Sequence, residues 1–152
     1  MLQLTNIYKT FNANTVNEKL VLNDINLELN RGDFVTVIGG NGAGKSTMLN
    51  LIAGVHYPDQ GTIILDGEDI TKLPEHVRAK NLGRVFQDPM MGTASNMEIE
   101  ENLALAYRRG KKRGLGWGIT KEEKELYVEK LKTLDLGLET RLSTKVGLLS
   151  GG

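Results

Sequence analysis

A glycine-rich run at residues 39–47 holds the side chains best suited to chemistry in this sequence. It reads Gly-Gly-Asn-Gly-Ala-Gly-Lys-Ser-Thr, and residues 39–46 fit the pattern G-x-x-x-x-G-K-[ST] of a phosphate-binding loop. Glycines let successive backbone N–H groups turn toward phosphate oxygens. Lys45 brings a positive charge for the β- and γ-phosphates, and the Ser46 hydroxyl is suited to ligate Mg²⁺. The predicted nucleotide contacts are Gly39, Gly40, Asn41, Gly42, Ala43, Gly44, Lys45, Ser46 and Thr47.

The segments on either side of this loop fit the strand–loop–helix arrangement that such a site requires. Residues 34–38, Phe-Val-Thr-Val-Ile, predict a short buried strand. Behind the loop, Met48, Leu49, Ile52 and Ala53 recur at helical spacing, and Gly54 stands where a helix would end. We therefore expect the loop to lead directly into the N-terminus of a helix.

The front of the chain is rich in predicted strands, and the back is helical. Strands are expected at 2–8, with one slip in the apolar alternation, and at 21–29, 62–65 and 84–86. Residues 11–19 predict a loop, and residues 73–80 a short helix. Helices are predicted at 98–109 and from Thr120, where Thr-Lys-Glu-Glu forms a capping box. We place a strand-rich part with the phosphate-binding loop at 1–90, and a helical part at 91–152.

Composition narrows the class of protein. The 152 residues carry no net formal charge, which argues against a basic nucleic-acid binder and an acidic disordered tail. There is no cysteine, so disulfides and cysteine zinc sites are excluded. No apolar run approaches the ~20 residues of a membrane span, and the N-terminus has no apolar stretch typical of a secretion signal. His56 and His76 have no partner at metal-ligand spacing and are expected at the surface.

Three further features accompany the loop. Tyr8 precedes it, and Phe86-Gln87-Asp88-Pro89 and then Leu149-Ser150-Gly151-Gly152 follow it. Together with the loop, they make the whole chain resemble the ATP-binding subunit of ABC transporters. The resemblance implies an α/β fold, a P-loop NTPase with an ABC-type ATPase core. It implies an ATP-binding core with an antiparallel β subdomain at 1–90 and a helical subdomain at 91–152. It also implies that Tyr8 stacks on adenine, although the loop at 11–19 remains an alternative base contact. Gln87 would reach Mg²⁺ and the attacking water, making Gln87 and Lys45 the catalytic residues and Ser46 and Gln87 the metal contacts.

The resemblance also implies partners and a mechanism. Two subunits would stack head-to-tail around two ATP molecules, and Ser150, Gly151 and Gly152 would contact the γ-phosphate held by the other copy. The helical subdomain would touch integral-membrane permease subunits at the cytoplasmic face of the cell membrane, where the subunit is peripheral. ATP hydrolysis would then drive solute transport, as in a binding-protein-dependent importer with a solute-binding protein as an indirect partner. No nucleic acid is expected as a partner.

The sequence departs from the family pattern on the C-terminal side of the loop. We find no apolar strand ending in Asp-Glu, which supplies the catalytic base in the family. The chain therefore resembles the front part of a longer subunit, and residues 1–152 alone are expected to be inactive. In the family's sheet, the two strands that flank the strand at 34–38 come from the part of the subunit that follows the front part. We therefore expect its backbone to be unpaired and residues 1–152 to lack a native-like core.

Several alternatives stay open. A soluble ABC-type ATPase without a permease would usually carry tandem cassettes or long insertions, and neither is present here. A GTPase would need an Asn-Lys-x-Asp element, which is absent. Two further interpretations are a small-molecule kinase and a non-catalytic nucleotide-binding module. The basic residues among 108–113 predict either a solvated loop or a contact with permease or anionic lipid. Trp117 is either a packing anchor or a permease contact.

Overall fold

The computed structural model describes residues 1–111 and 118–149. The chain forms two compact units, Met1–Leu82 and Gly83–Gly152. The sequence prediction divided the chain a little later, between residues 90 and 91.

A four-stranded antiparallel sheet forms the frame of the first unit. Its strands are β1 (Leu2–Phe11), β2 (Lys19–Leu29), β3 (Gln60–Leu65) and β4 (Glu68–Asp69). They lie in the order β2-β1-β3-β4. The first two strands are longer than predicted, so only residues 12–18 of the expected loop at 11–19 form the turn between them.

The slip in apolar alternation along β1 corresponds to an irregularity in the strand. The pairing of β1 with β2 shifts register between Leu4 and Ile7, and Asn6 between them has a φ of 49°. Because of this shift Leu4 and Ile7 are both buried in spite of their odd spacing. The predicted slip is thus confirmed as a bulge that keeps the apolar side chains on one face.

The core of the first unit joins the sheet to one helix. Helix α1 (Lys45–Ala53) follows the glycine run as predicted and ends at Gly54, which has a φ of 86°. A shorter helix, α2 (Glu75–Arg78), lies within the predicted range 73–80 and has Pro74 as its N-cap. Apolar side chains from the sheet, from α1 and from the segment before α2 pack together: Leu4, Ile7, Leu22, Met48, Leu51, Ile63 and Ile70.

The strands predicted at 34–38 and 84–86 are not formed. No backbone hydrogen bond joins residues 34–38, Val85 or Phe86 to another of the described residues, and no strand is formed in either segment. The apolar side chains are correspondingly open to solvent, with Phe34 94%, Ile38 89% and Val85 97% exposed. For 34–38 this agrees with the expectation, from the resemblance, that the backbone there is unpaired.

The second unit is built on two helices, α3 (Ile99–Tyr107) and α4 (Lys121–Lys132). Short 3₁₀ turns are formed at Pro89–Gly92, Leu138–Thr140 and Val146–Leu148. The predicted capping box at Thr120 is confirmed: the Thr120 hydroxyl accepts from the Glu123 N–H, and the Glu123 carboxylate accepts from the Thr120 N–H. The core of the second unit contains Ile99, Leu131 and Leu142.

Two distant stretches of the second unit run side by side through backbone hydrogen bonds. The N–H groups of Ile99 and Val146 donate to the carbonyls of Thr144 and Met97, each at 3.0 Å. Asn102 holds the first stretch in shape, because its side-chain amide both donates to and accepts from the backbone of Ala94. Among residues 1–111 and 118–149, none of the helices has the length and apolar character needed to cross a bilayer.

Candidate nucleotide-phosphate site

The glycine run meets α1 at a point where only glycine fits. Gly44 is the N-cap of the helix, with a φ of 85° in the left-handed region. A Cβ at this position would lie 2.8 Å from Leu22 Cδ2 and 3.0 Å from the Val21 carbonyl oxygen. The loop is therefore seated against β2, and β2 sets the direction in which α1 leaves the loop.

The N-terminus of α1 is open to an anion. No side chain caps it, and its first turn contains no acidic residue. The first N–H groups of a helix have no intrahelical partner, and the helix dipole adds positive potential at this end. These groups belong to the same turn as Lys45 and Ser46, so backbone donors, a cation and a hydroxyl coincide there.

Lys45 is held over the loop by the loop itself. Its Nζ donates to the carbonyl oxygens of Gly39 and Gly40, each at 2.7 Å. An ammonium has three N–H donors, so one remains available to a phosphate oxygen. These two contacts restrain a long and otherwise flexible side chain, which fixes where its charge lies.

The residues present fit a Mg²⁺ ion that is bound together with a nucleotide. Ser46 is exposed, and its hydroxyl makes no hydrogen bond with any described residue. Nowhere in residues 1–111 and 118–149 do three or more His, Asp or Glu side chains cluster as a metal cage would require. Mg²⁺ keeps several waters and often takes its remaining ligands from substrate phosphates, so one protein hydroxyl suits this mode of binding.

The opposite end of α1 is fixed by Arg78, a residue that the sequence analysis did not identify. Its side chain is 2% exposed, and it donates to the carbonyl oxygens of Leu51 at 2.6 Å and Ile52 at 3.0 Å. It also donates to Leu73 and Thr71 in the segment before α2. Burial lowers the pKa of the guanidinium, but arginine stays charged at neutral pH. A cation at the C-terminus of α1 complements the helix dipole.

The two candidates for a base contact occupy different places on β1. Tyr8 is half-buried and pairs with Gln60 of β3. Phe11 ends the strand opposite Lys19, whose Nζ lies 3.7 Å from the Cβ position of Gly42. The Phe11 end of β1 is therefore the end connected to the glycine loop.

The two histidines differ from each other in their surroundings. His56 is half-buried, and its ring meets that of Phe11 edge-on at 5.3 Å. An aromatic neighbour therefore covers one side of this residue, which was expected at the surface. His76 is exposed, as expected.

Gln87 belongs to the second unit and is exposed. It directly precedes Asp88, whose carboxylate accepts from the Met90 N–H at 2.9 Å and caps the 3₁₀ turn at Pro89–Gly92. The Gln87 side chain makes no hydrogen bond with the described residues. Ser150, Gly151 and Gly152 lie outside the described residues, and so does Trp117.

The basic run at 108–113 is not uniformly solvated. Arg108 forms two hydrogen bonds with the Glu123 carboxylate, which lowers the pKa of Glu123, and it also donates to the Gly118 carbonyl oxygen. The Lys111 ammonium lies 3.5 Å from the centre of the Tyr107 ring. Arg108 therefore joins α3 to α4, and Arg109 and Lys111 remain as exposed charge; Lys112 and Arg113 lie outside the described residues.

Known proteins resemble this chain in sequence and in fold. The family model described as ABC transporter matches residues 22–152. A tyrosine transport ATP-binding protein of Clostridioides difficile is 38% identical over 152 residues, which is all of this chain and 60% of that protein. The spermidine/putrescine import ATP-binding protein PotA of Haemophilus influenzae is 38% identical over 153 residues, covering 100% of this chain and 36% of that protein. The macrolide export ATP-binding/permease protein MacB of Campylobacter fetus is 34% identical over 158 residues, covering 100% of this chain and 23% of that protein.

Solved structures of ATP-binding cassettes resemble this chain in fold. The ATP-binding cassette MJ0796, in a dimeric post-hydrolysis state bound to ADP and Pi, superposes with a TM-score of 0.79 at 30% identity. The match covers 99% of this chain and 64% of that one. The chain thus spans about two thirds or less of each of these proteins. The antiparallel sheet, the glycine loop leading into α1 and the helical second unit are parts of an ABC ATPase cassette, and this chain belongs to the ABC transporter family.

Proposed function

We propose that this chain binds Mg·ATP through residues 39–47 and, in the complete subunit, contributes to ATP hydrolysis that drives solute transport. The observation that best supports this is the placement of Lys45. Two loop carbonyls hold its ammonium at the open N-terminus of α1, where a phosphate would also meet free backbone N–H groups. The family adds support, because a similar cassette was solved with ADP and Pi bound.

Replacing Lys45 by alanine tests this proposal directly. A charge-assisted hydrogen bond contributes about 1.5–3 kcal/mol, so ATP affinity of the full-length subunit should fall roughly ten- to a hundredfold. Isothermal titration calorimetry measures the change. Lys80→Ala, which removes an exposed lysine of the same unit, serves as the control and should bind like the parent. Equal affinity in Lys45→Ala and the control would disprove the phosphate-loop assignment.

We propose that an aromatic residue of β1 stacks on adenine, and the pairing of the strands favours Phe11 over the initially predicted Tyr8. Phe11 lies opposite Lys19, and Lys19 reaches the glycine loop, whereas Tyr8 pairs with β3. Stacking requires a ring and reads no base edge. Phe11→Ala should therefore weaken ATP and GTP binding alike, and Phe11→Tyr should restore it. If Tyr8→Ala weakens both nucleotides and Phe11→Ala weakens neither, Tyr8 is the stacking residue.

We further propose that Gln87 contacts Mg²⁺ and the attacking water in the complete subunit, as the family resemblance implies. Residues 1–152 alone should not turn over ATP. Within the described residues no carboxylate forms a hydrogen bond or an ion pair with Lys45 or Ser46, which supports the expectation that the base accepting the proton of the water is absent there. Phosphate release by residues 1–152 should therefore equal that of the Lys45→Ala chain.

Transport would involve membrane partners. We propose that the subunit is peripheral at the cytoplasmic face of the membrane, that it forms an ATP-dependent head-to-tail dimer through Ser150, Gly151 and Gly152, and that it docks on permease subunits. Similarity to a tyrosine transport ATP-binding protein supports transport, and similarity to the spermidine/putrescine import protein PotA supports import. We propose a solute-binding protein as an indirect partner, as the family resemblance implies. Co-expression with the permease should move the full-length subunit into the membrane fraction, whereas expression alone should not.

A further inference from the structure

The glycine loop contains a chemically unusual pair of residues, Asn41 and Gly42. Asn41 is the one asparagine of the sequence that glycine follows. Both residues are exposed and lie at the tip of a turn in which the Ala43 N–H donates to the Gly40 carbonyl oxygen at 3.3 Å. In the described part of the chain neither the Asn41 side-chain amide nor the Gly42 N–H has a hydrogen-bond partner.

These features favour attack of the Gly42 backbone nitrogen on the Asn41 side-chain carbonyl carbon. A side chain on the following residue normally hinders this approach, and glycine has none. Space around Gly42 is open, since the nearest atom to its Cβ position is the mobile Lys19 Nζ at 3.7 Å. The unpaired Gly42 N–H and the unpaired side-chain amide are free to rotate toward each other.

We propose that Asn41 is a site of spontaneous deamidation when no nucleotide is bound. The Gly42 nitrogen forms a bond to the Asn41 Cγ and loses its proton, and the side-chain nitrogen leaves with that proton as ammonia. Water then adds to one of the two carbonyls of the cyclic imide and opens the ring. Opening at the former side-chain carbonyl gives aspartate. Opening at the backbone carbonyl gives isoaspartate, in which the backbone passes through the former side chain.

Either product damages the phosphate site, a consequence that rests on the proposed function. Aspartate places a negative charge in a loop whose donors face phosphate. Isoaspartate lengthens the backbone by one methylene, which displaces the N–H groups on either side. Bound ATP protects the pair, because phosphate oxygens accept the loop N–H groups and hold the Gly42 nitrogen away from Asn41.

The test compares the purified full-length subunit incubated at mildly alkaline pH with and without saturating Mg·ATP. Peptide mass spectrometry follows the amide-to-acid mass gain, and methylation by an isoaspartyl methyltransferase detects the β-linked product. Asn14 is the internal reference, because it is exposed like Asn41 but is followed by threonine and not by glycine. We expect conversion at Asn41 to exceed that at Asn14 by about tenfold or more without ATP, and Mg·ATP to suppress it. Equal conversion at the two positions, or no protection by ATP, would overturn the proposal.

A variant separates this modification from the nucleotide site itself. Asn41→Gln keeps an amide but would have to close a larger ring, so its ATP affinity should stay at its own starting value while that of the parent falls about tenfold in the converted fraction. Both chains are measured before incubation. Absence of ATP binding in the fresh parent would reject the proposed function, whereas binding that persists in fully converted parent would reject the damage caused by deamidation.

Discussion

Arg78 carries its charge inside the first unit with backbone carbonyls as its hydrogen-bond partners. Four carbonyl oxygens accept its hydrogen bonds, from Leu51, Ile52, Thr71 and Leu73. Two of them belong to the last turn of α1, and the other two to the segment before α2. One side chain therefore ties the helix that follows the glycine loop to a part of the chain some twenty residues further on.

Removing this guanidinium should destabilise the protein. In Arg78→Met the four carbonyls lose their donor in a buried place, and we expect unfolding free energy to fall by about 3 kcal/mol. Urea-induced unfolding followed by circular dichroism measures the effect. Arg31→Met, at an exposed arginine, is the control and should stay within about 0.5 kcal/mol of the parent. Equal midpoints for the two variants would mean that the Arg78 contacts contribute nothing net.

A sequence motif indicates a candidate role for Lys45, but no motif indicates the structural role of Arg78. The proposed role of Lys45 follows from a spacing of glycines, lysine and serine that is typical of a phosphate-binding loop. The partners of Arg78 are backbone carbonyls, which every residue has, so no pattern of side chains marks the positions that will surround it. Phe11 was assigned to a loop for a related reason, because the extra strand residues around the turn at 12–18 carry no apolar alternation.

At the scale of elements, the irregular part of β1 lies against a single glycine of its neighbouring strand β3. Gly61 of β3 has a φ of 93°, and a methyl group on it would overlap the carbonyl oxygens of Thr5 and Asn6. The bulge in β1 and this glycine lie against each other, so each depends on the other for its geometry. The bulge was foreseeable from the slip between Leu4 and Ile7, whereas its dependence on a residue more than fifty positions later was not.

Alanine substitutions at two glycines separate crowding from backbone strain. Gly67 has a similar φ of 84°, but nothing lies within 4 Å of its Cβ position. Gly67→Ala should therefore cost only the left-handed penalty of about 1–2 kcal/mol. Gly61→Ala carries that penalty and the overlap with β1, and should lose at least about 2 kcal/mol more. Thermal unfolding of the two variants gives the comparison, and a smaller loss at Gly61 would contradict the crowding.

At the scale of the molecule, the described residues leave two apolar segments uncovered. Phe34 and Ile38 precede the glycine loop, and Val85 precedes Gln87. The composition at 34–38 is typical of a buried strand, but a strand exists only where a second backbone offers hydrogen bonds. Local sequence cannot supply that second backbone, which is why the prediction of a strand was wrong for these residues.

Residues 1–152 should therefore self-associate through these segments. Unpaired backbone flanked by exposed apolar side chains pairs readily with another copy. Static light scattering should show oligomers for residues 1–152, and fewer for the double variant Phe34→Lys, Val85→Lys. The control is Val16→Lys, because Val16 is fully exposed in the turn between β1 and β2, away from unpaired backbone. Equal scattering by the double variant and the control would show that these segments do not drive association.

The sheet order β2-β1-β3-β4 is built from strands that all lie within the first 69 residues. Every pairing joins strands that are close along the chain apart from β1 with β3, which brackets the glycine loop and α1. During synthesis on the ribosome these strands emerge before any of the second unit, so the sheet can close while the rest is still being translated. The pairing of β1 with β3 needs the loop and α1 to have left the exit tunnel, so the glycine loop can be held in its folded surroundings before the second unit is complete.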